Sequence, residues 1–269
     1  MNKAILLGTT GLAAAFAMLA IGFAAGKTGT ASDDPPRPQI VAEAGLDRGK
    51  VEQIVRDYLL ANPEVMLEVQ TALEDKQKQE LQLAALKVID DSKNEIFNSV
   101  HDGVVGNPNG KITIVEFYDY NCGFCKRALQ DMVDLTKSNP DLRFVLKEFP
   151  ILGPDSQKAH MVSQAFLKLM PDKYGEFHNA LLGGQGRATE ESAIRLAVSL
   201  GANEAQLRDA MNDPQIRETF ASTYELANRL SITGTPSYVV GKEVVYGALG
   251  RDVLAERIAE ATACLEASC

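Results

Sequence analysis

Tryptophan is absent from this 269-residue chain, histidine occurs three times and cysteine four times. Aromatic residues make up only 6%. No tract of lysine and arginine occurs, so the electrostatic footprint of a nucleic-acid partner is missing. Methionine and histidine do not cluster as a dedicated copper carrier would require of its ligands. Only one pair of cysteines is close in sequence, and a structural zinc site would want a second close Cys/His pair. His101, His160 and His178 read as surface or capping residues rather than ligands. The composition therefore implies no cofactor and no metal.

The N-terminus reads as an export signal. Lys3 is the only charge before Lys27, and Ala4 to Gly26 is a run of apolar and small residues. Ala24-Ala25-Gly26 and Gly29-Thr30-Ala31 both offer small residues for cleavage. The run is also about long enough to span a bilayer, so residues 1–26 are a signal peptide or an inner-membrane anchor. Removing them takes away one base and no acid, moving the net charge from −9 to −10. Export makes disulfide chemistry available, because cysteines oxidise outside the cytosol.

Cys122-Gly123-Phe124-Cys125 follows the apolar run Ile112 to Tyr118. Two cysteines three apart, where a strand gives way to a helix, can close a small disulfide ring and reopen it. A structural disulfide or half of a zinc site is the blander reading. The helix start supplies partial positive charge and free N–H groups. Cys122 should then be an exposed nucleophile with a lowered pKa, and Cys125, one turn in, more buried. Phe124 offers an apolar contact to a substrate peptide. Cys264 and Cys269, at the chain end, read as a terminal disulfide, as loose thiols, or as a second redox or metal-binding pair.

Residues 27–45, with Pro35, Pro36 and Pro38, read as an extended linker. Asp47 to Ala61 has apolar residues at helical spacing. Asn62-Pro63-Glu64 stops that helix and starts another, which runs to about Ser99. Its face Val65, Met66, Val69, Leu73 is followed by the wholly polar stretch Glu74 to Glu80. Residues 46–99 are therefore a helical oligomerisation extension with a solvated spacer. Residues 103–269 form one α/β domain: short strand, strand 112–118, helix from Gly123 to about Ser138, strand Leu142 to Lys147, a helical block over about 155–230, a hairpin about Gly241-Lys242, and a last helix from Arg251. That order is a thioredoxin fold with a helical insertion.

Glu116 lies in the middle of the buried strand, where a carboxyl costs free energy unless it is hydrogen-bonded or protonated. It reads either as a proton acceptor near the buried thiol, matched with Lys147, or as a residue at the sheet edge. Thr233-Gly234-Thr235-Pro236 precedes the hairpin, and X-Pro bonds are the ones that adopt cis.

The run Ile114 to Cys125, Lys147-Glu148-Phe149-Pro150 and Gly234-Thr235-Pro236 together resemble the DsbA-like family of bacterial thiol-disulfide oxidoreductases, over residues 103–263. Leu46 to Glu80 resembles the N-terminal extension of its ScsC-like branch, where the extension can drive oligomerisation. The resemblance implies that Cys122 is the nucleophile, Cys125 the resolving thiol, Pro236 the cis proline, Thr235 the residue facing the disulfide, and Glu116 the family's buried acid. Gly-Phe between the cysteines departs from the Pro-His of the most oxidising members, which leaves oxidase and isomerase both open. The expected activity is thiol-disulfide exchange on exported, cysteine-containing proteins, in the periplasm, with a membrane redox partner and a homo-oligomeric state. The alternative is a periplasmic copper-tolerance protein using the same thiolates.

Overall fold

The structure, a computed structural model, describes residues 47–267. The expected signal or anchor over 1–26 and the linker over 27–45 lie outside the described residues. So do the side chain of Cys264 and all of Cys269.

Helix α1, Arg48–Ala61, is capped by the Asp47 carboxylate, which accepts from the Gly49 N–H. It ends where the Asn62 side chain donates to the Tyr58 carbonyl and Pro63 follows. None of its residues is buried. Val51, Ile54, Val55 and Tyr58, its apolar stripe, are all exposed.

Helix α2, Val65–Asp91, begins a second compact unit. No residue from 65 to 84 is buried, and Ala85 and Ile89 are its first core residues. The helix expected to reach Ser99 breaks at Ser92, whose φ of −122° is not helical. The Ser92 hydroxyl accepts from Arg229 at 2.8 Å. Helix α3, Lys93–Phe97, then buries Ile96. The last turns of α2 thus contribute to the core of the domain, while the polar stretch Glu74 to Glu80 is exposed throughout.

Five strands form one sheet in the order β1-β3-β2-β4-β5. They are β1 (Gly103–Gly106), β2 (Ile112–Tyr118), β3 (Leu142–Glu148), β4 (Ser237–Val240) and β5 (Glu243–Tyr246). β2 and β3 run parallel and the other pairs antiparallel. Between β2 and β3 the chain makes α4, Gly123–Ser138. Between β3 and β4 lies the helical block: α5 (Pro154–Leu169), a single 3₁₀ turn, α6 (Tyr174–Gly183), α7 (Glu190–Ser199), α8 (Glu204–Ala210) and α9 (Pro214–Arg229). Helix α10, Arg251–Ala267, closes the described chain. This is the thioredoxin fold with a helical insertion, of the α/β class.

Side chains alternate between the two faces of a strand. Ile112, Ile114 and Tyr118 of β2, with Leu142, Phe144 and Leu146 of β3, join the larger core with α4, α10 and the helical block. Val115, Phe117 and Val145 face the other way, onto Ile89, Ile96, Leu226 and Leu230.

That alternation overturns the expected match of Glu116 with Lys147. In the β2–β3 register Glu116 lies beside Leu146, and Phe117 beside Lys147. The acid and the lysine therefore point to opposite faces. Lys147 pairs with buried Asp102 and donates to the Glu95 carbonyl. Burial pushes the Asp102 carboxyl up to about 6, against the pull of Lys147. Asp102→Ala would leave the Lys147 ammonium buried and unpaired. Breaking such a pair from one side costs about 3–5 kcal/mol, to be read as a lower urea midpoint. Asp102→Leu combined with Lys147→Met should recover much of that loss.

Candidate active site

Cys122 is the N-cap residue of α4, with extended φ/ψ of −78° and 117°. Its own N–H donates to the Asp119 carbonyl at 2.9 Å, and its Sγ lies 3.1 Å from the Thr235 carbonyl. The Thr235–Pro236 peptide bond is cis. Cys122 is only 6% exposed, less than expected of a nucleophile, because the Thr235 segment comes down onto it. Cys125 is fully buried one turn into the helix. Both cysteines are free thiols.

The two sulfurs are driven apart electrostatically. The Cys122 thiol is pulled down to about 5. A hydrogen bond from Cys125 is the largest cause, helped by Thr235 and by the backbone N–H groups of Cys125 and Phe124, and opposed by burial. The Cys125 thiol is pushed far up by burial first, then by its hydrogen bond to Cys122 and by the Glu116 charge. Cys122 is therefore a thiolate at neutral pH and Cys125 a thiol, the division of labour that exchange through a mixed disulfide needs.

Glu116 is 1% exposed and lies on the face of the sheet that carries the cysteines, not at an edge. Burial, then the Cys122 charge, pushes its carboxyl up to about 8. When Cys122 enters a mixed disulfide its negative charge disappears, and the Glu116 carboxyl loses one of the two causes that raised it. The carboxylate is then easier to form than in the thiolate state.

Phe124 stands 57% exposed between the cysteines, with the Arg127 guanidinium 4.3 Å from its ring centroid. The loop after α6 is tied to the site on both sides of the cysteine pair. The Asn121 side chain donates to the Ala188 carbonyl and accepts from the Ala188 N–H, at 2.9 and 2.8 Å. Lys126 Nζ donates to the Gly184 carbonyl at 2.8 Å and to that of Gly186 at 3.2 Å.

Two of the three histidines are not at the surface. His160 and His178 are fully buried among Tyr118, Tyr120 and Tyr174, and only His101 is exposed. Burial, then His160, pulls the His178 imidazole down to about 3, so it is neutral. Sequence reasoning missed Asn121, Glu148 and His160. The spacing of Ser156, His160 and Ser163 on a helix was the one available signal. Among the described residues no group of three His, Cys, Asp or Glu side chains is placed to hold a metal ion.

Residues 113–259 match the DSBA-like thioredoxin domain, and residues 47–80 match the copper resistance protein ScsC N-terminal domain. Disulfide bond formation protein D of Bacillus subtilis is 26% identical over 165 residues, which cover 58% of this chain and 74% of that protein. A thioredoxin-like oxidoreductase from Silicibacter pomeroyi is 36% identical, covering 63% of this chain and 96% of that one, with a TM-score of 0.60. Proteus mirabilis ScsC in a transitional conformation is 26% identical, covering 82% and 98%, also with a TM-score of 0.60. A thiolate at a helix start, a buried partner thiol and a cis proline loop sit within the matched segment, and the chain belongs to the DSBA-like thioredoxin domain family of thiol-disulfide oxidoreductases.

Proposed function

We propose that the protein is an exported, periplasmic disulfide isomerase that acts on cysteines of other exported proteins. The observation that carries the exchange chemistry is the opposed pair of thiols, Cys122 pulled down and Cys125 pushed up. In isomerisation the Cys122 thiolate attacks a substrate disulfide. A Cys122–substrate S–S bond forms and the old S–S bond breaks, with its second sulfur leaving as a thiolate. That thiolate attacks elsewhere in the substrate, and a substrate thiolate finally releases Cys122. No net electrons move. If release instead comes from Cys125, the Cys122–Cys125 disulfide forms and the substrate leaves reduced. The pair then needs a redox partner, expected in the membrane.

The isomerase direction is supported by the uncovered apolar side chains of α1 and of the first turns of α2: Ile54, Val55, Tyr58, Met66, Val69 and Leu73. Each such residue buried in an interface contributes roughly 1.5–3 kcal/mol, enough in sum to outweigh association costs at micromolar concentration. A second copy of this chain is the proposed occupant, and several active sites then face one misfolded substrate. Sedimentation of the exported form is expected to give an oligomer, and deletion of residues 46–80 a monomer. The monomer should still oxidise a model dithiol peptide and should lose reshuffling of a scrambled substrate. A full-length protein that sediments as a monomer at tens of micromolar sinks the isomerase reading and leaves the oxidase. The match of residues 47–80 to a copper resistance protein favours one second reading, copper tolerance through these thiols. Tight Cu(I) uptake by the wild type, lost in Cys122→Ser, would support it.

A further inference from the structure

Helix α5 is buried on its apolar side, where Ala159, Val162, Ala165 and Phe166 are fully covered. On the same helix Ser156, His160 and Ser163 are also fully buried. Polar groups taken out of water are costly unless each finds a partner. Here every partner lies in, or supports, the turn that carries Cys122.

The need for them arises where β2 ends. Tyr118 still accepts from the Phe149 N–H through its carbonyl, but two residues later the chain has left the sheet. The Tyr120 N–H is buried with no strand to bond, a loss of about 1–3 kcal/mol if it stayed unmade. His160 Nε2 accepts it at 3.2 Å. That acceptor role puts the ring proton on Nδ1, which faces the Glu148 carboxylate. Glu148 is the last residue of β3, set beside Tyr118 by the parallel register. Its other oxygen accepts from Ser163 at 2.6 Å and from Tyr174 at 3.2 Å.

One turn earlier on α5, the Ser156 hydroxyl donates to Asp119 at 2.8 Å. The same Asp119 oxygen accepts from the Asn121 N–H at 2.8 Å, and its other oxygen from the Leu152 N–H at 3.0 Å. The Asn121 side chain donates to the Ser156 hydroxyl at 3.0 Å. Through these bonds α5 grips Asp119, Tyr120 and Asn121, the three residues before the nucleophile.

We propose that Ser156, His160 and Ser163 of α5, with Glu148, are positioning residues that hold the Asp119–Asn121 turn so that the N–H groups at the start of α4 aim at Cys122 Sγ. None of them touches the sulfur. They act through Asp119, whose carbonyl accepts from the Cys122 N–H. A displacement of that turn lengthens the N–H···S contacts that favour the anion, because hydrogen bonding and charge interaction both fall steeply with distance and angle. The inference rests on Cys122 being an activated thiolate, and its test separates the two.

The readout is the ultraviolet absorbance of the Cys122 thiolate against pH, with the melting temperature measured in parallel. Loss of one hydrogen bond from the frame is expected to make Cys122 about tenfold less acid in Ser156→Ala and in His160→Leu, the equivalent of roughly one pH unit. His160→Gln keeps an acceptor for the Tyr120 N–H and should restore most of the acidity. Ser163→Ala, which leaves Glu148 its other donors, should move it less. If Ser156→Ala and His160→Leu melt lower but leave the Cys122 titration in place, the frame is merely structural and the proposal is overturned. Should His160→Leu fail to fold, Ser156→Ala, which removes a single oxygen atom, decides alone. A wild-type Cys122 that titrates like an ordinary thiol overturns the reading of the active site itself.

Discussion

Cys122→Ser is expected to reduce thiol-disulfide exchange to background and to remove the thiol that titrates near pH 5. The cause is the placement of Cys122 at the helix start, where Cys125, Thr235 and two backbone N–H groups stabilise the anion. In the wild type the rate of attack follows the thiolate fraction. It should rise about tenfold per pH unit below 5 and level off above about 6. Cys125→Ser retains a hydroxyl donor toward Cys122, so its low-pH thiol should survive. With the resolving thiol gone, that variant should instead accumulate as a mixed disulfide with substrate. Cys125→Ala also removes the donor, and its remaining thiol should titrate higher. A thiol titrating below pH 7 that persists in Cys122→Ser would show that the nucleophile has been misassigned.

The reduced protein should gain stability with pH relative to the disulfide form. The Cys122 thiol titrates at about 5 in the folded state against an ordinary value of 9.0. A depressed pKa gives stability that is complete above the unfolded value and is lost as pH falls through the folded value. The window is therefore pH 5 to 9, with a slope of about 1.4 kcal/mol per pH unit. At pH 7 the contribution is roughly 3 kcal/mol, and the disulfide form, having no thiolate, lacks it. Glu116 works in the opposite direction. Its folded carboxyl holds a proton up to about 8 against 4.5 for an ordinary glutamic acid, so it costs stability as pH rises between those values. The part of that cost due to burial is common to both redox forms, whereas the part due to the Cys122 charge exists only in the reduced form and opposes its gain. Urea unfolding of each form at pH 5, 6, 7 and 8 measures the gap. Parallel pH dependences for the two forms would rule the effect out.

Much of the fold was legible because the signals were local. The apolar run Ile112 to Tyr118 became β2, and the helix from Gly123 to Ser138 became α4, with the boundaries read from sequence. The hairpin residues also fell where the turn Gly241-Lys242 put them. What was not legible depends on register. No periodicity within β2 or β3 says that Glu116 sits beside Leu146 rather than Lys147, yet a shift of one residue sends a side chain to the other face. The buried histidine had the same origin. His160 read as a surface or capping residue, and nothing local beyond helical spacing set Ser156 and Ser163 apart. They are dry because the ends of β2 and β3 bring Asp119, Tyr120 and Glu148 to meet them. The link from Asn121 to Ala188 crosses 67 positions and leaves no trace in either local pattern. Ser92, which ends α2, is an ordinary helix residue by composition. Its partner Arg229 lies 137 positions away.

The carbonyl that touches Cys122 belongs to a residue 113 positions later in the chain, and β4, which pairs with β2, follows directly after it. During synthesis the cysteine pair therefore emerges well before the segment that completes its surroundings. Until Thr235 and β4 have arrived, the sheet lacks its link to the hairpin, and Cys122 lacks the hydrogen bond from the Thr235 side chain that helps to make it acidic. The contacts from Cys125 and the start of α4 are local and come with the cysteine pair, whereas a stretch 113 positions downstream completes the site. The order of the chain thus separates the arrival of the reactive pair from the completion of the surface that covers it.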